Sequence, residues 1–194
     1  MELNAQNLKN KLKKIRVIVT DVDGVLTDGK IYLSDHPEET KAFWAKDKPR
    51  MMVAMRSGLK IAWFTGRKCA AVIRRSKEVT GVRLVFKAEL IEQKIDFFEF
   101  MKKEYDASPE NIMYIGDDWC DLHVMKQVGV AMTPEDGSNE NKKIAHIITK
   151  SKGGCGAVSE AIEILMTAQG TWCKYVEWYA SSFAFKSSTK EGLL

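Results

Sequence analysis

The sequence has few of the residues that build metal clusters or covalent frameworks. Its four cysteines, Cys69, Cys120, Cys155 and Cys173, are widely spaced, with no Cys-x-x-Cys pair. That excludes a zinc knuckle and a disulfide scaffold, and predicts a reduced, cytoplasmic protein. The three histidines, His36, His123 and His146, have no serine or cysteine close by in sequence, so a histidine-based triad has no support. No stretch nears the roughly 18 apolar residues of a membrane span. The polar N-terminus has no apolar core of a signal peptide, so none is expected. Charge is nearly balanced, with 30 Lys and Arg against 26 Asp and Glu and a net charge of +4. So small an excess suits a small anionic substrate and calls for neither nucleic acid nor membrane. The one basic run, Lys9 to Arg16, reads as a solvated helix face.

What is present is an alternation of β-branched strands and helices. With 194 residues the chain can build one domain around a substantial core. Strands are predicted at 15–20, 60–64, 83–86, 112–115, 130–132 and 146–148, and helices at about 4–13, 49–57, 68–79, 90–104, 119–128 and 157–169. Residues 30–43 carry a hairpin pattern. This order predicts an α/β fold: a three-layer, Rossmann-like parallel sheet with helices on both faces and a β-hairpin after the first strand. Residues 1–172 form the expected domain. Residues 173–194 form a C-terminal tail, aromatic first and then rich in Ser, Thr and Lys, in which a partly ordered helix is expected before a loose end.

Polar residues stand just past three strands: Asp21 with Asp23, Thr65 with Gly66, and Asp117 with Asp118. The C-terminal edge of an open parallel sheet is where ligands bind, so the three groups should converge. Two carboxylates on one turn repel, and a divalent cation relieves that repulsion; hard oxygen ligands suit Mg2+. Asp21 can then attack phosphorus as a nucleophile, and Asp23 can protonate the leaving oxygen and later activate water. Thr65 and the Gly66 N–H can hold phosphate oxygens at a helix start. Lys94 is the candidate cation for transition-state charge, favoured over the nearby Lys87 by its spacing from Pro109. Asp117 is assigned as a direct metal ligand and Asp118 as indirect or water-mediated, with Asp121 one helical turn on.

DVDGVLTDG (21–29), FTGR (64–67), Lys94 and GDDWCD (116–121), in that order, resemble the four motifs of the haloacid dehalogenase-like phosphatases. The intervals between them hold a hairpin and one helix, then one helix and one strand, which leaves no room for a cap domain. Within the superfamily, DVDGVLTDGKIY (21–32), Lys41-Ala42-Phe43 with Asp47, TGRK (65–68) with Val72 and Arg75, SPENIMYIGDD (108–118) and GGCGAV (153–158) are similar to the capless phosphatases of the 3-deoxy-D-manno-octulosonate 8-phosphate type. That resemblance implies a Mg2+-dependent phosphomonoesterase with an aspartyl-phosphate intermediate, serving lipopolysaccharide biosynthesis. It implies a metal contact from the Asp23 backbone carbonyl, a homotetramer in which neighbours complete each site, and substrate binding by Gly66, Arg75 and Asp47. Departures occur at Lys48-Pro49-Arg50, at 86–89, and at Cys155 and Ser159, where arginines are common in the family. They leave open a nine-carbon keto-sugar acid 9-phosphate as substrate, or a catalytically weak assembly or regulatory module.

Overall fold

A computed structural model describes residues 5–33, 35, 39–93 and 95–182. Its elements run α1 (Ala5–Lys14), β1 (Val17–Asp21), α2 (Asp47–Arg56), β2 (Lys60–Thr65), α3 (Ala70–Glu78), β3 (Arg83–Phe86), α4 (Lys87–Glu92) and α5 (Phe97–Tyr105). They continue with β4 (Ile112–Ile115), α6 (Leu122–Met125), β5 (Val130–Thr133), α7 (Asn139–Ile144), β6 (Ile147–Ile148), α8 (Ala157–Ala168) and α9 (Trp172–Ser182). The six strands form one sheet in the order β3-β2-β1-β4-β5-β6, and every pairing is parallel. The strand order reverses at β1, the switch point where α/β sheets place their ligands.

The period of two along each strand divides the interior. Ile18, Ile61, Trp63, Met113, Ile115, Val130 and Met132 face one way, onto Leu12 of α1, Met51 and Val53 of α2 and Ile162 and Leu165 of α8. Val17, Val19, Ala62, Phe64, Tyr114 and Ala131 face the other way, onto Leu90 of α4, Phe100 and Met101 of α5 and Met125 of α6. This is the expected three-layer arrangement, and among the described residues no inserted cap interrupts it. The hairpin is reduced to two isolated antiparallel bridges, Thr27–Phe43 and Tyr32–Thr40. Trp172, Tyr175 and Tyr179 of α9 pack on the α2/α8 side, and the Arg56 guanidinium lies 5.2 Å from the Trp178 ring. The final residues of the expected tail, 183–194, lie outside the described residues.

Two elements differ from expectation. The single helix predicted at 90–104 is two. α4 ends at Glu92, where Gln93 closes its last turn, and α5 restarts behind Asp96, whose carboxylate accepts the Phe98 N–H at 2.8 Å. The helix predicted after Asp118 is a 3-10 turn, Trp119–Asp121, followed by only four helical residues.

The glycines of GGCG brace the β1 turn from outside. Gly154 donates to Val25 O at 3.0 Å, and a Cβ on Gly153 would fall 1.8 Å from Gly24 O. Backbone cannot move aside cheaply there. Gly153→Ala is therefore expected to cost about 1–3 kcal/mol, read as a lower midpoint in urea unfolding.

Candidate active site

β1 ends on Asp21, 6% exposed, at the centre of the carboxyl edge of the sheet. The chain turns sharply behind it. Leu26 and Thr27 both donate their N–H to Val22 O at 3.0 Å, and Gly24 sits at φ +93°. Only glycine fits at 24, because a Cβ would lie 2.0 Å from Asp117 Oδ2. This turn brings the Asp23 N–H to Asp21 Oδ2 at 3.1 Å.

β4, beside β1, delivers the second acidic segment. One ligand oxygen from each of Asp21, Asp117 and Asp121 lies within 4.8 Å of the others. Asp121 is fully buried and arranges this group. Its Oδ2 accepts the backbone N–H of Asp117 at 3.1 Å and of Asp118 at 3.4 Å, and its Oδ1 accepts the Tyr114 hydroxyl at 2.8 Å.

Lys87, the first residue of α4, supplies the counter-charge. Its Nζ donates to Asp21 Oδ1 at 2.7 Å and lies 3.3 Å from Asp121 Oδ1. Burial works against the ammonium, but the charges of Asp21 and Asp121 outweigh it, so its pKa is raised. One cation does not neutralise three carboxylates. Burial, offset in part by Lys87, pushes Asp21 up to about 6, and burial together with the charges of Asp21 and Asp121 pushes Asp117 up to about 8. Asp117 Oδ1 is buried without a hydrogen-bond donor. Excess negative charge, all-oxygen donors and an orphaned carboxylate oxygen fit a hard divalent cation.

The predicted site residues divide. Asp21 and Asp117 come together, and Asp23 reaches Asp21 through its backbone N–H while its carboxylate pairs with Lys41. Thr65 is buried at the end of β2, where its Oγ1 accepts the Arg67 N–H at 3.1 Å, and Gly66 beyond it is exposed with open space around it. Asp118 presents its N–H to Asp121 but is absent from the three-carboxylate group among the described residues. Lys94 lies outside the described residues, and Lys87 is the lysine found on Asp21. Asp47 stands in the first turn of α2, where its Oδ1 accepts Ser159 N at 3.1 Å and the Ser159 hydroxyl, tying α2 to α8. Arg75 pairs with Glu78 at 2.7 Å and shares a tight recess with Asp47 and Trp44. Among the described residues, neither bonds to the carboxylate group. Burial pushes the Cys120 thiol up to about 11, which makes it a poor nucleophile beside Asp21. A cavity of about 620 Å³ opens elsewhere, lined by Lys13, Arg16, Lys60 and Tyr105 beside the strand starts.

Residues 92–162 match the model of the haloacid dehalogenase-like hydrolase family. The 3-deoxy-D-manno-octulosonate 8-phosphate phosphatase of Escherichia coli strain K12 is 35% identical over 160 residues, 82% of this chain and 84% of that one. The enzyme of the same name from Salmonella typhi is 34% identical over 164 residues, 84% of this chain and 86% of that one. This chain is a haloacid dehalogenase-like phosphatase. Among solved structures, a probable phosphatase of the yrbi family from Pseudomonas syringae superposes with a TM-score of 0.80 at 32% identity, covering 91% of this chain and 98% of that one. The 3-deoxy-D-manno-octulosonate 8-phosphate phosphatase of Moraxella catarrhalis, solved with magnesium, phosphate and the sugar acid, gives 0.80 at 28% identity over 91% of this chain and 99% of that one. A cobalt-bound relative from Haemophilus influenzae gives 0.75 at 28% identity, covering 82% of this chain and 92% of that one. Among the described residues this chain inserts no cap over the sheet edge, in keeping with the short intervals between motifs.

The raised carboxylates set a direction for stability. Asp21 and Asp117 hold protons in the folded state at pH values where the unfolded chain has released them. Their contribution is present below pH about 4 and is lost as pH rises through about 6 and then about 8. Chelator-treated protein is expected to lose thermal stability from pH 5 to 8, and millimolar Mg2+ to restore it most at the upper end, as read by differential scanning calorimetry.

Proposed function

We propose that this phosphatase hydrolyses 3-deoxy-D-manno-octulosonate 8-phosphate to the free sugar acid and inorganic phosphate, with Mg2+, through an aspartyl-phosphate. The observation that carries the chemistry is buried Asp21 in contact with Lys87 and gathered with Asp117 and Asp121 at one strand edge. The names of its relatives support the substrate.

An Asp21 carboxylate oxygen attacks phosphorus while the ester P–O bond breaks, and Asp23 gives the leaving oxygen its proton. Water then attacks the phosphorus of the acyl phosphate and passes a proton to Asp23, and the bond from Asp21 to phosphorus breaks. Lys87 faces the phosphoryl charge, as Lys94 was expected to do, and Thr65 and Gly66 take phosphoryl oxygens. Asp21, Asp117 and the Asp23 carbonyl would hold Mg2+, with Asp118 acting through water. Bound there, Mg2+ supplies charge neutralisation and orientation of the phosphoryl group. Asp121 acts indirectly, by orienting Lys87 and the loop of Asp117. Asp47 and Arg75, tied to Ser159 and Glu78, would serve substrate binding only after exchanging those partners. A reduced cytoplasmic setting agrees with the free cysteines.

Among the described residues no cap covers the sheet edge, so water exclusion calls for a partner. Ile31 and Leu33 on the hairpin are 52% and 87% exposed, and a homotetramer packed through hairpins would cover them. Light scattering after size exclusion is expected to give the tetramer mass, and a drop in that mass is expected for Leu33→Asp.

Asp21→Asn, checked for deamidation, is expected to abolish Mg2+-dependent phosphate release, and Lys87→Met to lower kcat by about 10²–10³-fold. A panel of eight- and nine-carbon keto-sugar acid phosphates, with ordinary sugar phosphates as controls, tests the substrate. Preference for the nine-carbon compound would replace the named one, and no turnover of any would point to a regulatory module.

A further inference from the structure

Lys41 is a buried cation that these steps leave without a task. Its side chain is only 2% exposed. The ammonium is held between Asp23 Oδ1 and Glu39 Oε1, the latter at 2.8 Å. The Arg67 guanidinium approaches the same Glu39 oxygen at 3.4 Å. Burying an ammonium is costly unless its hydrogen bonds are met, so Lys41 sits here by virtue of those two carboxylates. Lys41 also directly follows the Tyr32–Thr40 bridge, on the returning arm of the hairpin. Its bond therefore ties the hairpin to the turn behind β1.

We propose that Lys41 is a positioning residue, which holds Oδ1 of Asp23 so that Oδ2 faces the oxygen that gains or loses a proton. The inference rests on the phosphatase chemistry proposed above. Asp23, 28% exposed at its side chain, has room to swing. A displacement of about 1 Å in a catalytic group can cost about 10²-fold. Through Lys41, alignment of the proton carrier also depends on the hairpin being in place.

The test is rapid mixing of the whole protein and Mg2+ with p-nitrophenyl phosphate. In the first half-reaction Asp21 displaces p-nitrophenolate, which departs without a proton and so makes little demand on Asp23. In the second, water attacks the aspartyl-phosphate and must yield its proton to Asp23. Lys41→Met is expected to lower the steady rate by about 30–100-fold while leaving a burst of p-nitrophenolate near one per active site, larger than that of the unsubstituted protein. Phosphorylated Asp21 should accumulate in acid-quenched samples. Lys41→Arg should restore the steady rate to within several-fold and remove the burst. Should Lys41→Met not fold, Lys41→Gln carries the same expectation. Burst and steady rate falling together, or a steady rate equal to that of the unsubstituted protein, would overturn the assignment. Absence of release by the unsubstituted protein, from this ester and from keto-sugar acid phosphates alike, would strike the underlying chemistry instead.

Discussion

Three carboxylates, from Asp21, Asp117 and Asp121, share a buried space less than 5 Å across, and their repulsion is the constraint around which the carboxyl edge is organised. At roughly 4 Å and an effective dielectric of about 20, each ionised pair costs about 4 kcal/mol. The fold does not remove that cost. It spreads it, through the Lys87 ammonium, the backbone N–H groups of Asp117 and Asp118, the Tyr114 hydroxyl and the raised protonation of Asp21 and Asp117. Asp121 takes most of the donors, so the unmet demand falls on Asp117 and Asp21. Such a distribution suits an incoming cation, whose binding free energy is larger where the protein has left negative charge uncompensated.

The sheet makes this concentration possible. β1 and β4 are neighbours in register, so the residues that follow them emerge side by side. Gly24 allows the first turn to pass within contact of Asp117, and the GGCG loop closes over that turn from the far side. A side chain at 24 would push the two acidic segments apart, and one at 153 would displace the turn behind β1. The glycines in these motifs thus act through the backbone on the electrostatics of the site.

Much of this was legible in the sequence because strand ends are. The runs at 15–20, 60–64 and 112–115 are short, β-branched or apolar, and each stops at a polar residue; the same logic located Asp21, Thr65 and Asp117. Applied evenly, it would also have picked Lys87, which directly follows Phe86 at the end of β3. A continuous helix from 90 to 104 obscured this. The break is marked by Asp96 with Glu99 three residues on, a helix-start signature that apolar periodicity does not register. Asp47 and Arg75 show a different limit. Their residue types suit a sugar acid, but type alone does not say that Ser159 and Glu78 lie within reach.

Lys41 was visible in the sequence as part of Lys41-Ala42-Phe43, but its contacts were not. Only the folded chain shows it enclosed between Asp23 and Glu39. That placement bears on how a phosphatase without a cap aligns its acid and base. In capped enzymes a moving domain can both exclude water and orient the proton carrier. Here the returning arm of the hairpin touches the Asp23 carboxylate directly, through Lys41. Subunit packing that orders the hairpin would then also order Asp23, and one set of contacts would serve both enclosure and proton transfer.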